Sequence, residues 1–571
     1  MRRIPIFVFT FVIACSSHKS GGDSPDAQPK PPMPDEWQIQ IDFPNLDRFL
    51  DVAAHADRTW HVAGTATAPL GLAEVDVAGM PVALDGGNFA ADVVVDPGVT
   101  RVPIVGKDTA MHERKADRSV IAARFLPEGA QNNGAASLIL TSTIVQSMAA
   151  GLAQQAGDVD VAAEIRAKDT LSSDSQCTTW PTGAQQDKTK VTLALDGTDL
   201  VLHIQVPNLY VTFDGECQGL ISTIPISGEM AGTIDVYTTL TALPGAPCVT
   251  SFAHSTPDVS VSGWQFDVWG TAGPLQNWLI QLFSGQKGPQ AEQQLQDEVA
   301  TRADTLLTDK LKNVSVLDKT SALSLLSKPM SMHLCLAALD KVGTSLVARV
   351  GASASGDGDA SQKKTAPGAP ILDGAAVNPA AKELVLDANL VGQLLFAAWR
   401  DGGLAKANIK QVDLGLLTAL ARDLEPMFPN GGMADVSIDG ELPPVVRAGP
   451  SMAGGAADLR VEIGDLMLTI RANDTELFRF GVKLTLELEL TAEDGKLVPK
   501  VLSTSSEVSL LGEIVDGPDG ALELAVQSQL GDAASQLLAG ASLSLPDVPG
   551  LGAPIDVTPD KSGRYLHVKL K

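Results

Sequence analysis

The 571-residue chain is 44% hydrophobic and carries 68 Asp and Glu against 42 Lys and Arg, a formal net charge of −26. That length implies several domains of about 100–200 residues each, and the apolar content suffices for buried cores. Its acidity excludes electrostatic binding to nucleic acid or to anionic lipid surfaces, both of which attract basic proteins.

At the N-terminus Arg2-Arg3 precedes an apolar run, Ile4 to Ala14, and then Cys15-Ser16-Ser17. About twenty apolar residues are needed to cross a hydrocarbon core as a helix, so this run is an export signal and not a span. The tetrad Val12-Ile13-Ala14-Cys15 resembles the lipobox of bacterial lipoproteins. That resemblance implies a signal peptide over 1–14, diacylation of Cys15, and attachment to the cell envelope. Ser16 after Cys15 favours the outer membrane. Residues 15–36 are rich in Ser, Gly, Asp, Pro and Lys and cannot bury enough surface to fold, so they read as a disordered tether.

Residues 37–124 show short alternating strands broken by Gly, Pro and Asp, among them Trp60–Thr65, Val75–Gly79, Gly87–Val95 and Arg101–Asp108. The rhythm resembles the immunoglobulin-like modules of bacterial surface proteins, which implies a small all-β sandwich acting as a spacer or adaptor.

From 126 to 350 a first unit begins with a predicted helix, in which Leu138, Ile144, Val145, Met148, Ala149 and Leu152 recur at helical spacing. Strands are predicted where Val159, Val161, Ala163 and Ile165 alternate, then at Leu200–Val206, at Leu209–Phe213, and at Val259–Val268 with a bulge at Gly263. A helical pattern returns from Pro274 through Trp278 and Leu282. Beyond Gly288-Pro289 it resumes with Val299, Ala303, Leu307 and Leu311. Cys177, Cys217, Cys248 and Cys335 are an even number in an exported chain, which favours two disulfides. Three connectivities are open, with Cys177–Cys217 and Cys248–Cys335 preferred.

Residues 351–379, opening with Gly351-Ala352-Ser353-Ala354-Ser355-Gly356, read as a flexible linker. The second unit, 380–571, opens with a helix from Leu390 to Trp399 that puts Leu390, Leu394, Leu395 and Ala398 on one face. A strand follows in which Phe478, Phe480, Val482, Leu484, Leu486, Leu488 and Leu490 alternate, and 520–540 reads as a closing helix. The helix ending in Asp401-Gly402-Gly403-Leu404, the Phe428-Pro429-Asn430 turn, Pro443-Pro444, and Leu545-Pro546-Asp547-Val548-Pro549-Gly550 resemble in order the C-terminal barrel of the BPI/LBP/CETP lipid-transfer family, the TULIP superfamily. The first unit resembles it in the order of its elements alone. The resemblance implies an α+β protein of two tandem modules, each a twisted antiparallel sheet around a long helix, with an apolar tunnel in each. It would make Val145, Met148, Leu152, Trp278, Leu282, Leu390, Leu394, Leu395 and Trp399 the lining residues.

No Gly-x-Ser-x-Gly, His-Glu-x-x-His, Walker loop, zinc spacing or calcium loop occurs, and the eight histidines are scattered. The expectation is a non-enzyme without cofactor or metal that binds lipid or another apolar ligand. The competing expectation is a structural or adhesion lipoprotein whose barrels are filled by their own side chains. An acidic chain is ill suited to phosphate-rich lipids, which favours a neutral or zwitterionic ligand.

Overall fold

The structure, a computed structural model, describes residues 38–41, 45–146, 149, 160–173, 177–218, 223–243, 248, 251–269, 288–311, 319–359, 363–373, 376–421, 424–452, 455–513, 520–538, 543–544 and 552–571. Cys15 and its tether lie outside these residues, as do Met148, Leu152, Trp278 and Leu282.

The described residues from Gln38 to Leu126 form short β-strands joined by turns, with one 3-10 turn among them, Asn45–Arg48. Alternation along Thr59–Thr67 turns Trp60, Val62 and Ala66 inward. Val75, Val77, Phe89 and Ile104 from neighbouring strands complete a core separate from the main one. This region is docked onto the C-terminal half. Arg48 donates to Asp465 at 2.8 Å and to Glu441 at 2.7 Å, the Ser119 amide donates to Asp465 at 2.8 Å, and Val99, Ile121 and Ala123 pack against Leu442 and Val445. Burial pushes the Asp465 carboxyl above its usual pKa, and the Arg48 guanidinium opposes that rise.

The first curled sheet is built on two antiparallel strands of 20 and 21 residues, Asp199–Gln218 and Thr223–Leu243. Leu200, Leu202, Ile204 and Val206 face inward, and so do Leu209, Val211 and Phe213. An extra residue between Val206 and Leu209 makes this possible, because without it the second series would fall on the outer face. Helix α1 (Val161–Arg166) and helix α2 (Gly288–Leu311) pack against the sheet. The strand expected at Val161–Ile165 is therefore a helix. Asp160 caps it by accepting the Ala163 amide at 2.8 Å, and this local bond outweighs the short alternation. Leu138, expected in a helix, lies in the strand Asn132–Ile139, and helix begins only at 142. In α2, Leu307 and Leu311 are buried, and Val299 and Ala303 pack against the same core.

Helix α3 (Ala388–Arg400) starts at Asp387, whose carboxylate accepts the Asn389 amide at 2.9 Å. All but two of its residues are buried, as expected of a helix enclosed on every side. The second curled sheet follows, with long strands Leu459–Ala472, Thr475–Glu493 and Lys496–Glu513 joined by two-residue turns, Asn473-Asp474 and Asp494-Gly495. All four turn residues have positive φ, the geometry whose twist suits a tight hairpin. The alternating residues Phe478 to Leu490 are buried as their period requires. Helix α4 (Leu414–Leu420) packs on the edge strand Ala405–Asp413 of this sheet, and helix α5 (Ala521–Leu538) on Lys496–Glu513.

A seven-stranded antiparallel sheet joins the two halves. Lys319–Leu325, Lys328–Val342, Ser345–Gly356 and Asn132–Ile139 come from the first unit, and Glu383–Asp387, Tyr565–Leu570 and Pro554–Pro559 from the second. The seam pairs Ala136 with Leu386 and Leu138 with Leu384. This corrects the linker reading of 351–379. Gly351–Gly356 ends a strand of the central sheet, with Ala352 and Ala354 buried, and Ala369–Ile371 pairs with Arg124–Leu126. Small residues stand there because space is short, since a β-carbon at Gly351 would meet Gln131 and one at Gly356 would meet Asp401.

Candidate functional site

A shallow apolar recess, part of it open to solvent and with room for little more than one water molecule, lies on the inner face of the first curled sheet. It is lined by Ile165 from α1, Leu209 and Val211 from one long strand, Met230 and Ile234 from the other, and Trp264 from the outer strand Asp258–Trp269. Among the described residues no charged side chain lines it. Two glycines account for its shape. Gly263, at φ +64°, lies in the bulge where pairing slips between Ala231 and Thr233, and the extra residue turns Trp264 to the face that Val261 shares. Opposite stands Gly232, where a β-carbon would lie 2.9 Å from Val261 Cγ1 and 3.5 Å from Trp264 Cε3.

Trp264 stacks on Phe266 with centroids 6.3 Å apart, and Phe266 stacks on Phe213 at 5.7 Å. Its indole Nε1 is shut off from solvent and has no acceptor among the described residues. A buried donor left unpaired costs about 1–3 kcal/mol, which is why such groups are rare in folded proteins.

The sequence-predicted lining residues lie elsewhere. Leu390, Leu394 and Leu395 are buried in the main core, and Trp399 is 0% exposed. Trp399 donates its indole N–H to the Gly440 carbonyl at 2.6 Å, so that donor is satisfied. The helix that carries all four packs against the central sheet and the strands Ala369–Ile371 and Val445–Ala448, at the junction of the halves. Val145 is buried in the same core. Sequence reasoning placed Trp264 on a strand without assigning it a role, and it passed over Met230 and Gly232. The available signal was the bulge at Gly263, which decides where the next large side chain points.

Both preferred disulfides are formed, Cys177–Cys217 between directly paired strands and Cys248–Cys335 between the first half and the central sheet. The ring of His333 lies beside the second, close enough for Cys248, His333 and Cys335 to share a metal, but both sulfurs are committed to the bond. Several histidines meet carboxylates away from the recess: His112 with Asp108 at 2.7 Å, His203 with Asp235 at 2.7 Å, and His567 with Glu383 at 2.9 Å. His203 also stacks on Tyr237 across the strands. Among the described residues no helix is long and apolar enough to cross a membrane.

The described architecture is an antiparallel α+β fold of two curled sheets flanking a shared central one. No protein-family model matches the chain, and no curated protein matches it. Among solved structures it is similar to a lipopolysaccharide binding protein, at 14% identity and TM-score 0.33, covering 77% of this chain and 99% of that one. It is also similar to P47 of Clostridium botulinum E1, at 7% identity and TM-score 0.24, with the same coverage. Likenesses at these TM-scores define neither ligand nor mechanism.

Proposed function

We propose that this protein is a non-catalytic lipoprotein of the bacterial envelope, anchored through acylated Cys15, which binds or shuttles an apolar, acyl-type ligand inside its first curled sheet. The observation that carries this reading is the shallow apolar recess between α1 and that sheet, whose described lining is aliphatic side chains and one indole with no charged group. Such a site selects by shape and dryness. Burial is worth about 0.8 kcal/mol per methylene, so a chain of ten carbons contributes roughly 8 kcal/mol gross, from which the costs of association are subtracted. The net charge of −26 favours a neutral or zwitterionic ligand over a phosphate-rich one. The resemblance of residues 380–571 to the lipid-transfer family supports the same class. The N-terminal all-β region, read as an immunoglobulin-like module, would then hold the second half at a set angle through Arg48 and Asp465.

The competing filled-barrel reading draws support from the second half, where Phe478 and Phe480 are fully buried on the inner face. The two are separated by extracting lipid from the Cys15→Ala chain, which lacks the covalent acyl groups that would obscure the result. Acyl lipid in near-stoichiometric amount is the expected outcome. A lipid-free protein that takes up no fluorescent fatty-acyl probe would establish the filled-barrel alternative.

A further inference from the structure

The sheet that joins the two halves gathers sulfur and imidazole at one point. His333 and Cys335 stand two residues apart on the strand Lys328–Val342, so alternation puts both on the face opposite Met332 and Leu334 of the main core. Cys248 reaches the same point from the connection between Thr223–Leu243 and Ser251–His254. One ring nitrogen of His333 and the two sulfurs lie within 4.8 Å of one another. Both cysteines are buried and His333 is half-buried. Over the sulfurs lies Gln131, whose amide donates to Cys335 Sγ at 2.6 Å and whose side-chain oxygen is 3.5 Å from Cys248 Sγ. Gly351, paired with Cys335, makes room for it, since a β-carbon there would meet that carboxamide.

We propose that the Cys248–Cys335 disulfide masks a metal site: once the bond is reduced, the two thiolates and His333 bind one Zn²⁺, with the fourth position left to water beside Gln131. A dithiol reductant opens the bond by exchange and becomes a disulfide itself as two thiols form. Zn²⁺ then takes the place of the two thiol protons, which pass to solvent. Two sulfurs and an imidazole suit a tetrahedral Zn²⁺, which holds sulfur at about 2.3 Å and nitrogen at about 2.0–2.1 Å. Such an ion sets its ligand atoms roughly 3.3–3.8 Å apart, and the cluster already lies within 4.8 Å. The cysteine Cα atoms, 5.7 Å apart, let both side chains reach one ion. Two buried thiolates also need a counter-charge, which the cation supplies. The ion would keep the first half tied to the central sheet after the covalent tie is cut. Its ligands come from separate segments, so no zinc-type spacing stands in the sequence.

The test is Co²⁺ titration of the full chain carrying Cys15→Ala, followed by displacement with Zn²⁺. The chain is reduced with a phosphine, which takes oxygen from water as the disulfide becomes two thiols and does not chelate as a dithiol would. Thiolate-to-cobalt charge transfer and the visible bands of tetrahedral cobalt report the site. The reduced chain should bind one ion with both signals, and the oxidised chain should show neither. His333→Gln should weaken binding at least about ten-fold, with circular dichroism of its oxidised form checking that the fold is intact. His333→Cys, which offers a third sulfur, should retain binding and strengthen the charge-transfer band. Paired Cys177→Ser and Cys217→Ser removes the other thiol pair and should leave affinity unchanged. No uptake by the reduced chain, or the same signals from the oxidised one, would overturn the proposal. So would undiminished affinity in His333→Gln, an unaltered band in His333→Cys, or loss of binding in a folded chain that lacks Cys177 and Cys217.

Discussion

Two tryptophans, one fully buried and one half-buried, show how differently the halves of this molecule use the same side chain. Trp399 sits at the junction on a helix packed on all sides, fully buried, with its N–H bonded to the Gly440 carbonyl. Trp264 sits on a strand of the first curled sheet, against a recess, with its N–H unpaired among the described residues. The first completes a core, where every polar atom must be answered from within the protein. The second leaves a polar atom for something else to answer. Size and hydrophobicity are equal in the two cases, and partner and packing distinguish a structural aromatic from a candidate ligand contact.

The largest test of this contrast is the same change at both sites. Trp399→Phe should cost about 2–3 kcal/mol in chemical denaturation, since it opens a cavity and removes a buried hydrogen bond. Trp264→Phe should be neutral to within about 1 kcal/mol, because it deletes a donor that makes no bond. Equal destabilisation at the two sites would erase the distinction.

A smaller difference is expected between the disulfides. Cys248–Cys335 closes 87 residues and ties the first half to the central sheet, whereas Cys177–Cys217 closes 40 within one sheet. Removing either by paired Cys→Ser replacement should cost about 2–4 kcal/mol, and loop-closure entropy makes the longer one dearer by roughly 0.7 kcal/mol. Thermal melts that rank the short loop as the costlier would show that sheet geometry, not chain entropy, sets its value.

The smallest effects separate the two curled sheets by pH. On the outer face of the first, the Tyr210 phenol donates to the Glu229 carboxylate, and this bond holds the phenol above its ordinary value of 10.0. Neutral Tyr210 is the stabilising form. Its contribution is complete below the unfolded-state value and disappears as pH rises through the higher folded one. On the outer face of the second, the hydroxyl and amide of Ser451 hold Glu487 below its ordinary 4.5, against the upward push of burial. That contribution is complete above the unfolded-state value and disappears as pH falls through the lower folded one. Tyr210→Phe should therefore cost stability at pH 8 and cost progressively less as the parent ionises above pH 10. Glu487→Gln should cost stability at pH 7 and cost progressively less as pH falls below the ordinary 4.5 and the parent protonates. Melting curves that show either penalty independent of pH would rule out the bond invoked for it.

Much of the architecture is legible in the sequence because it depends on local period. The alternation from Phe478 to Leu490 placed an inner face, Gly263 marked a bulge, Val299 to Leu311 marked a core-facing helix, and the preferred cysteine pairs are the ones formed. The misreadings occurred where local pattern and global position disagree. Val161–Ile165 alternates like a strand, yet its Asp160 cap makes it a helix. Gly351–Gly356 has the composition of a linker, yet it is a buried strand whose small residues fit a crowded seam.

By itself the sequence determined the acidic charge, the preferred pairing of the four internal cysteines, the antiparallel α+β character and the identity of the apolar faces, all of which depend on residue type and near-neighbour spacing. Only the tertiary structure decided that the two units share a central sheet, that the N-terminal region docks through Arg48 onto Asp465, and that Trp399 is core while Trp264 borders a recess. These outcomes depend on residues brought together from distant parts of the chain. A period identifies the face on which a side chain lies, but only the elements folded against that face determine whether they fill the space beside it and whether an acceptor comes within reach of its donor.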